Sequence, residues 1–170
     1  MNTDEILEGL LSCPNTKPHT LGVFPADLLP ARVKKYPAIL VCNSDVSTEP
    51  GTHWLAMYLP TKKGIAEFFD PFGHPPEYYS HFIVEFLEKN SSKRIHNQQS
   101  IQAPRSWACG SHCLFYLKMR CSGIKMQDIV KNLYSTDVYA NDVKAVLNTH
   151  VTYCTPSECI QSQRCIPIVK

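Results

Sequence analysis

The run Gln102-Ala103-Pro104-Arg105-Ser106-Trp107-Ala108-Cys109-Gly110 decides how the rest of the chain is read. It sets a cysteine at the predicted start of a helix, with glycine after it and a side-chain amide seven positions upstream. Unpaired N–H groups at a helix start favour negative charge, which biases a thiol there toward thiolate. An upstream amide can donate to a developing oxyanion. A nucleophile of this kind needs a base, and His53-Trp54 offers one. Phe69-Asp70-Pro71-Phe72-Gly73 offers a carboxylate to orient that base. The ordered set reads as the parts of a cysteine hydrolase.

Working outward, Ala38-Ile39-Leu40-Val41-Cys42-Asn43 reads as a buried strand. Two further strands, about His53–Leu59 and Gly64–Asp70, flank the loop Pro60-Thr61-Lys62-Lys63. If Leu59 pairs with Gly64, His53 stands directly opposite Asp70, with Cβ atoms about 5 Å apart. One hairpin then supplies both base and acid.

Elsewhere, Thr3 is the expected cap of a helix through Leu11, with Ile6, Leu7, Leu10 and Leu11 as its apolar face. A connector with Pro14, Pro18, Pro25, Pro30 and Pro37 follows. Glu77–Lys89 has helical spacing through Tyr78, Phe82, Phe86 and Leu87, and Arg94–Gln98 suggests a short strand. Cys113, Leu114, Tyr116 and Leu117 predict a buried helix from Cys109 to about Arg120. Two more helices are expected near Lys125–Tyr134 and Thr136–His150. The chain reads as one domain over 1–170, with 150–170 a C-terminal tail that shows no period.

Composition agrees with a folded protein: 170 residues, 44% hydrophobic, net charge +2. The clusters Arg32/Lys34/Lys35, Lys62/Lys63 and Lys89/Lys93/Arg94 are explained most simply as solvated faces, with nucleic-acid contact the alternative. The eight cysteines are read as reduced thiols, because Met1-Asn2-Thr3-Asp4-Glu5 has no basic n-region or long apolar h-region. No stretch approaches a membrane span. The expected setting is cytosol, nucleus or a particle assembled there, not secretion.

Each residue also has a plainer reading. A cysteine in an apolar helix is usually core, His53 alone could sit at a strand end, and Asp70-Pro71 alone could start a turn. Gly51 and Gly110 let backbone approach a substrate, although Gly51 after Pro50 reads as a turn residue before it reads as a substrate contact. Cys113 competes with Cys109 but lacks the following glycine and lies one helical turn further in. His112 reads as structural or exposed. The series His150, Cys154, Cys159, Cys165 lacks the paired spacing of a structural zinc site, so no metal is expected.

Together, Gly51-Thr52-His53-Trp54, Phe69-Asp70-Pro71-Phe72-Gly73 and Gln102-Ala103-Pro104 through Ala108-Cys109-Gly110 and Cys113 resemble the adenain family. These are the adenovirus-type maturation proteases, with similar enzymes in related DNA viruses and Maverick/Polinton elements. The resemblance runs from about Leu21 to Leu117, with Leu21-Gly22 and Asn43 at matching distances before the histidine. It implies an α+β fold within the SUMO-protease-like clan: a central mixed sheet flanked by helices, the nucleophile at the N-terminus of a buried helix. It implies His53 as base, Asp70 as third member (many relatives use Glu), Gln102 as oxyanion donor and Cys109 as nucleophile. It further implies cleavage after small residues, at Gly-Gly or Gly-x-Gly, in capsid or core precursors within the virion and host nucleus or cytoplasm. Trp54 would narrow the cleft, pack on Phe69, or do both. In the adenovirus enzyme a viral peptide links by disulfide to a cysteine between the acid and the Gln. No cysteine stands between Asn43 and Ala108 here, which leaves non-covalent peptide activation, another thiol, DNA or no cofactor open. A SUMO or ubiquitin-like deconjugase is the nearest alternative enzyme, and a protease-derived binding module a third reading.

Overall fold

The computed structural model describes residues 1–149, so the tail thiols Cys154, Cys159 and Cys165 and His150 lie outside the described residues. Strand β2 (Ala38–Asn43) is buried at every position, as a continuous apolar run must be when both sheet faces are covered. It lies between β1 (Thr20–Phe24), parallel to it, and β3 (Trp54–Leu59), antiparallel. Then come β4 (Ile65–Phe69), antiparallel to β3, and β5 (Lys93–His96), parallel to β4. The sheet is therefore mixed, in the order β1-β2-β3-β4-β5, and the fold is α+β.

Side chains alternate between two covered faces. Leu40, Cys42, Leu55, Met57 and Phe68 meet Ile83, Phe86 and Leu87 of α2 (His81–Asn90). Ile39, Val41, Ala56 and Phe69 meet α3 (Cys109–Cys121), together with Ile6 and Leu10 of α1 (Thr3–Leu11). Every residue of α3 from Cys109 to Met119 is buried, so it is the central helix of the fold, and its N-terminal residue is the expected nucleophile. A single turn α4 (Met126–Asp128) runs into a wider-wound segment, Ile129–Leu133, and α5 (Val138–Leu147) follows.

Several expected boundaries change. The α1 cap is Asn2, not Thr3: its side chain accepts from the Glu5 N–H while the Glu5 carboxylate accepts from the Asn2 N–H. Leu11 is exposed. Helix α2 starts at His81, where Ser80 caps it; Pro76–Tyr78 form a separate tight turn, and Tyr78 is exposed. The hairpin register also differs. Ala56 pairs with Phe69 and Tyr58 with Glu67, because the turn is centred one residue later than expected. It closes through the Gly64 N–H to the Thr61 carbonyl, with Lys63 at φ 61°. Extended to His53, this register points at Phe72 rather than Asp70. The displacement is two residues, so every side chain keeps its face.

Away from the nucleophile, α3 is fastened to β4 by charge. Glu67 accepts from Arg120 Nε at 2.7 Å and Nη2 at 3.0 Å and from Tyr116 Oη at 2.5 Å. The guanidinium also lies over the Tyr58 ring at 4.2 Å. Arg120→Ala would leave a buried carboxylate without its counter-ion. It should lower unfolding free energy by roughly 3–5 kcal/mol, read from the urea midpoint. A midpoint within error of wild type would show that the pair does not hold helix to sheet.

Candidate active site

Three elements deliver three side chains to one end of the sheet. His53 immediately precedes β3, and its carbonyl accepts from the Ser44 N–H at 2.9 Å, which ties it to the end of β2. Asp70 follows β4, and Cys109 is the first residue of α3. Imidazole Nε2 and Asp70 Oδ1 are 2.7 Å apart. Since that nitrogen is occupied, Nδ1 is the one left for the Cys109 thiol, which lies near enough to His53 for each to shift the other's titration. His53 is 8% exposed, Cys109 7% and Asp70 0%. The diagonal register is what lets His53 reach Asp70.

Asp70 is saturated with donors. Oδ1 also accepts from the Phe72 N–H at 2.9 Å; Oδ2 accepts from the His74 N–H at 2.8 Å, His74 Nδ1 at 3.1 Å and Tyr79 Oη at 2.8 Å. Asn97 fixes its backbone from both sides, accepting from the Asp70 N–H and donating to the Asp70 carbonyl. Phe72 stacks on His53 with ring centroids 4.9 Å apart. Gly73 completes the turn at φ 79°, where a Cβ would meet the Gln99 backbone at 2.9 Å. Sequence reasoning missed Asn97, His74 and Tyr79. The short reach from Asp70 to His74 is a local carboxylate turn and was available as a signal; Tyr79 and Asn97 arrive through tertiary structure.

The electrostatics follow from these contacts. Burial opposes charge on His53, but hydrogen bonds and Coulomb attraction from Asp70 and Cys109 outweigh it and raise its pKa to about 9. Burial alone would raise the Cys109 thiol. Its bond to His53 and the backbone N–H groups of Trp54 and Gly110 reverse this, and its pKa is lowered. Burial opposes ionisation of Asp70 as well, yet His53 and the Phe72 N–H bring its pKa down. Cys113 has no such support. It is fully buried, its thiol donates to the Trp54 carbonyl at 3.3 Å, and burial pushes its pKa far up.

The other expected residues sit close by in different settings. Gln102 is buried; Nε2 donates to the Ser106 carbonyl at 2.8 Å, and Oε1 has no partner among the described residues. Trp54 donates from Nε1 to the Met1 carbonyl at 3.0 Å, and its ring lies against Gly110 and not in a stack on Phe69, which stacks on Tyr116. A Cβ at Gly110 would come within 3.1–3.3 Å of Met1, Ile6 and Trp54. Internal packing thus accounts for this glycine. Gly51, at φ 82°, closes on Asn43. It lines a cavity of about 390 Å³ with Trp54, Asn43 and Met1. A second cavity, about 650 Å³, opens beside His53 between Ser44, Thr52, Phe72, Tyr79 and Pro104. His112 is fully buried, which removes the exposed reading.

A thiol and imidazole with these opposite shifts hold a thiolate–imidazolium pair over a defined window. The thiol takes up a proton as pH falls through its lowered pKa, and the imidazolium loses its proton as pH rises through about 9. Alkylation of Cys109 by iodoacetamide should therefore reach half its maximal rate below the usual thiol range. His53→Ala should move that midpoint upward, since only the burial and backbone contributions remain. A midpoint unchanged by His53→Ala would refute the pairing.

The profile of the adenovirus endoprotease family matches residues 20–153. No curated protein sequence matches the chain significantly. Among solved structures, the ASFV pS273R protease superposes with a TM-score of 0.59 at 15% identity, covering 89% of this chain and 67% of that one. Its selenomethionyl form aligns over 69% of this chain and 45% of that one, at 21% identity and a TM-score of 0.43. The first of these superpositions shows a shared fold. The family match spans most of the sequence and includes His53, Asp70, Gln102 and Cys109. This chain belongs to the adenovirus endoprotease family and is a cysteine endopeptidase.

Proposed function

We propose that the chain cleaves polypeptides after small residues, at Gly-Gly or Gly-x-Gly sequences, with Cys109 as nucleophile. The observation that carries the reading is His53, held at 2.7 Å by Asp70 and electrostatically coupled to the Cys109 thiol, at the mouth of an open cavity. The Cys109 thiolate attacks the scissile carbonyl, and the His53 imidazolium gives its proton to the leaving amine. Water, deprotonated by His53, then hydrolyses the thioester. Asp70 keeps the imidazole oriented and its charge compensated throughout.

Negative charge on the tetrahedral oxygen needs donors fixed in advance. Helix α3 begins at Cys109 with no side-chain cap, so its first N–H groups are not consumed by one. The Cys109 N–H is one donor. The Gln102 amide is the other: one Nε2 hydrogen is taken by Ser106, and the second serves the oxyanion. Trp54 and Gly51 share the adjoining cavity, where bulk beside the nucleophile favours substrates without large side chains near the scissile bond.

Family membership supports capsid or core precursors as substrates, processed in the virion and the host nucleus or cytoplasm. The mechanism needs no metal or small cofactor. An activating peptide would have to act without a disulfide between Asn43 and Ala108. DNA would meet Arg32 and Lys63, which both donate to the Lys89 carbonyl at the end of α2, beside Lys89 and Arg94 that are already paired with Glu85, Glu77 and Glu88.

The test offers wild type and Cys109→Ala a peptide library with Gly-Gly and Gly-x-Gly, and a SUMO fusion, with and without DNA. Wild type should cleave the peptides and Cys109→Ala should not, a loss of several orders of magnitude. Cleavage of the fusion alone would favour a deconjugase, and cleavage of neither a binding module. Peptide cleavage surviving Cys109→Ala would refute the nucleophile.

A further inference from the structure

A second histidine–aspartate pair lies one helical turn behind the nucleophile. His112 on α3 is fully buried, and its Nε2 stands 2.7 Å from Asp142 Oδ1 on α5. Its Nδ1 is 3.2 Å from Tyr134 Oη. A carboxylate only accepts, so Nε2 carries the hydrogen and Nδ1 receives the Tyr134 hydroxyl. Both ring nitrogens are committed to structure, and neither is left for a substrate.

Asp142 reaches further. Its Oδ1 also accepts from the Ala103 N–H at 3.4 Å, and its carboxylate lines one surface cavity together with Ser106. Ser106 Oγ in turn accepts from the Ala108 N–H at 3.1 Å, and the Ser106 carbonyl accepts from Gln102 Nε2. One carboxylate thus pins the loop from Gln102 to Ala108 at Ala103 and lies beside it at Ser106. Within that loop, Arg105 takes φ 64°, a left-handed conformation that a non-glycine residue holds only when its surroundings impose it. Gln102 Oε1 accepts from nothing among the described residues, so the amide is oriented through Ser106.

We propose that Asp142, held by His112, is a positioning residue for the oxyanion hole, fixing Ser106 so that the Gln102 amide faces the tetrahedral intermediate. This rests on the role given to Gln102 above. The interaction is indirect: among the described residues Asp142 bonds to neither the Cys109 thiol nor the His53 imidazole, and the nucleophile pair is built without it. Its loss should therefore slow acyl chemistry and leave thiolate reactivity in place.

Two reactions of the same thiol separate these effects. Cleavage of a Gly-Gly peptide develops an oxyanion; alkylation by iodoacetamide is displacement at a saturated carbon and develops none. Asp142→Ala should lower kcat on the order of 10- to 100-fold with KM within about twofold. Its Cys109 alkylation rate should stay within about twofold of wild type. Asp142→Asn retains the shape and one acceptor, so it should lie between the two; if Asp142→Ala does not fold, the same readouts on Asp142→Asn decide. Unchanged kcat overturns the proposal, and so does a parallel fall in alkylation, which would mark a general structural role. Cys109→Ala runs alongside. Turnover surviving there refutes the nucleophile, whereas turnover lost there and kept in the Asp142 variants refutes only the positioning role.

Discussion

A fully buried carboxylate at the end of β4 is the constraint around which this end of the molecule is organised. Leaving Asp70 without donors in a low-dielectric interior would cost several kcal/mol or force it to protonate. The protein surrounds it instead: Phe72 and His74 through the backbone, His74, Tyr79 and His53 through side chains. Satisfying that one charge closes the turn after β4, draws in the segment before α2 and sets the imidazole plane. Asn97, just beyond β5, holds the Asp70 backbone as well, so four chain segments converge on it.

The nucleophile's position obeys a different compromise. Helix α3 is buried over its first eleven residues, which gives a rigid platform but penalises charge. Cys113 shows that penalty unrelieved, its thiol driven far up. Cys109 lies four residues earlier, where the helix still has N–H groups to offer and the imidazole is in reach, and its shift has the opposite sign. The same thiol chemistry separates because helix ends carry unpaired donors and helix interiors do not.

What could be read from the sequence divides along these lines. β2 was legible to the residue because the five-residue apolar run Ala38–Cys42, set between Pro37 and Asn43, has few alternatives. The start of α3 was legible because Cys109-Gly110 follows a stretch without helical period. The hairpin register was not. It depended on the Thr61–Gly64 turn, whose left-handed Lys63 carries no residue signal of the kind a glycine gives. The face of His53 survived only because the error was an even number of residues. The Asn2 cap was hidden by an equally plausible Thr3, and Ser80 was passed over because Tyr78 happened to fit the apolar spacing of a helix that begins three residues later. Tyr79, Asn97 and Asp142 act across gaps that no local pattern spans.

The two histidine–aspartate pairs show why residue type alone does not assign a role. Each has imidazole Nε2 at 2.7 Å from a carboxylate oxygen. His53 faces a second acidic partner, the Cys109 thiol, on its other side, and its pKa rises to about 9. His112 faces a neutral phenol there. Burial then dominates, outweighing Asp142, and its pKa falls, with repulsion from His53 adding to the effect. Two imidazolium groups in this buried region would repel each other. With His112 neutral, the positive charge stays on His53, facing the Cys109 thiolate. The neutral ring can then serve as a rigid spacer between α3 and α5, donating on one side and accepting on the other.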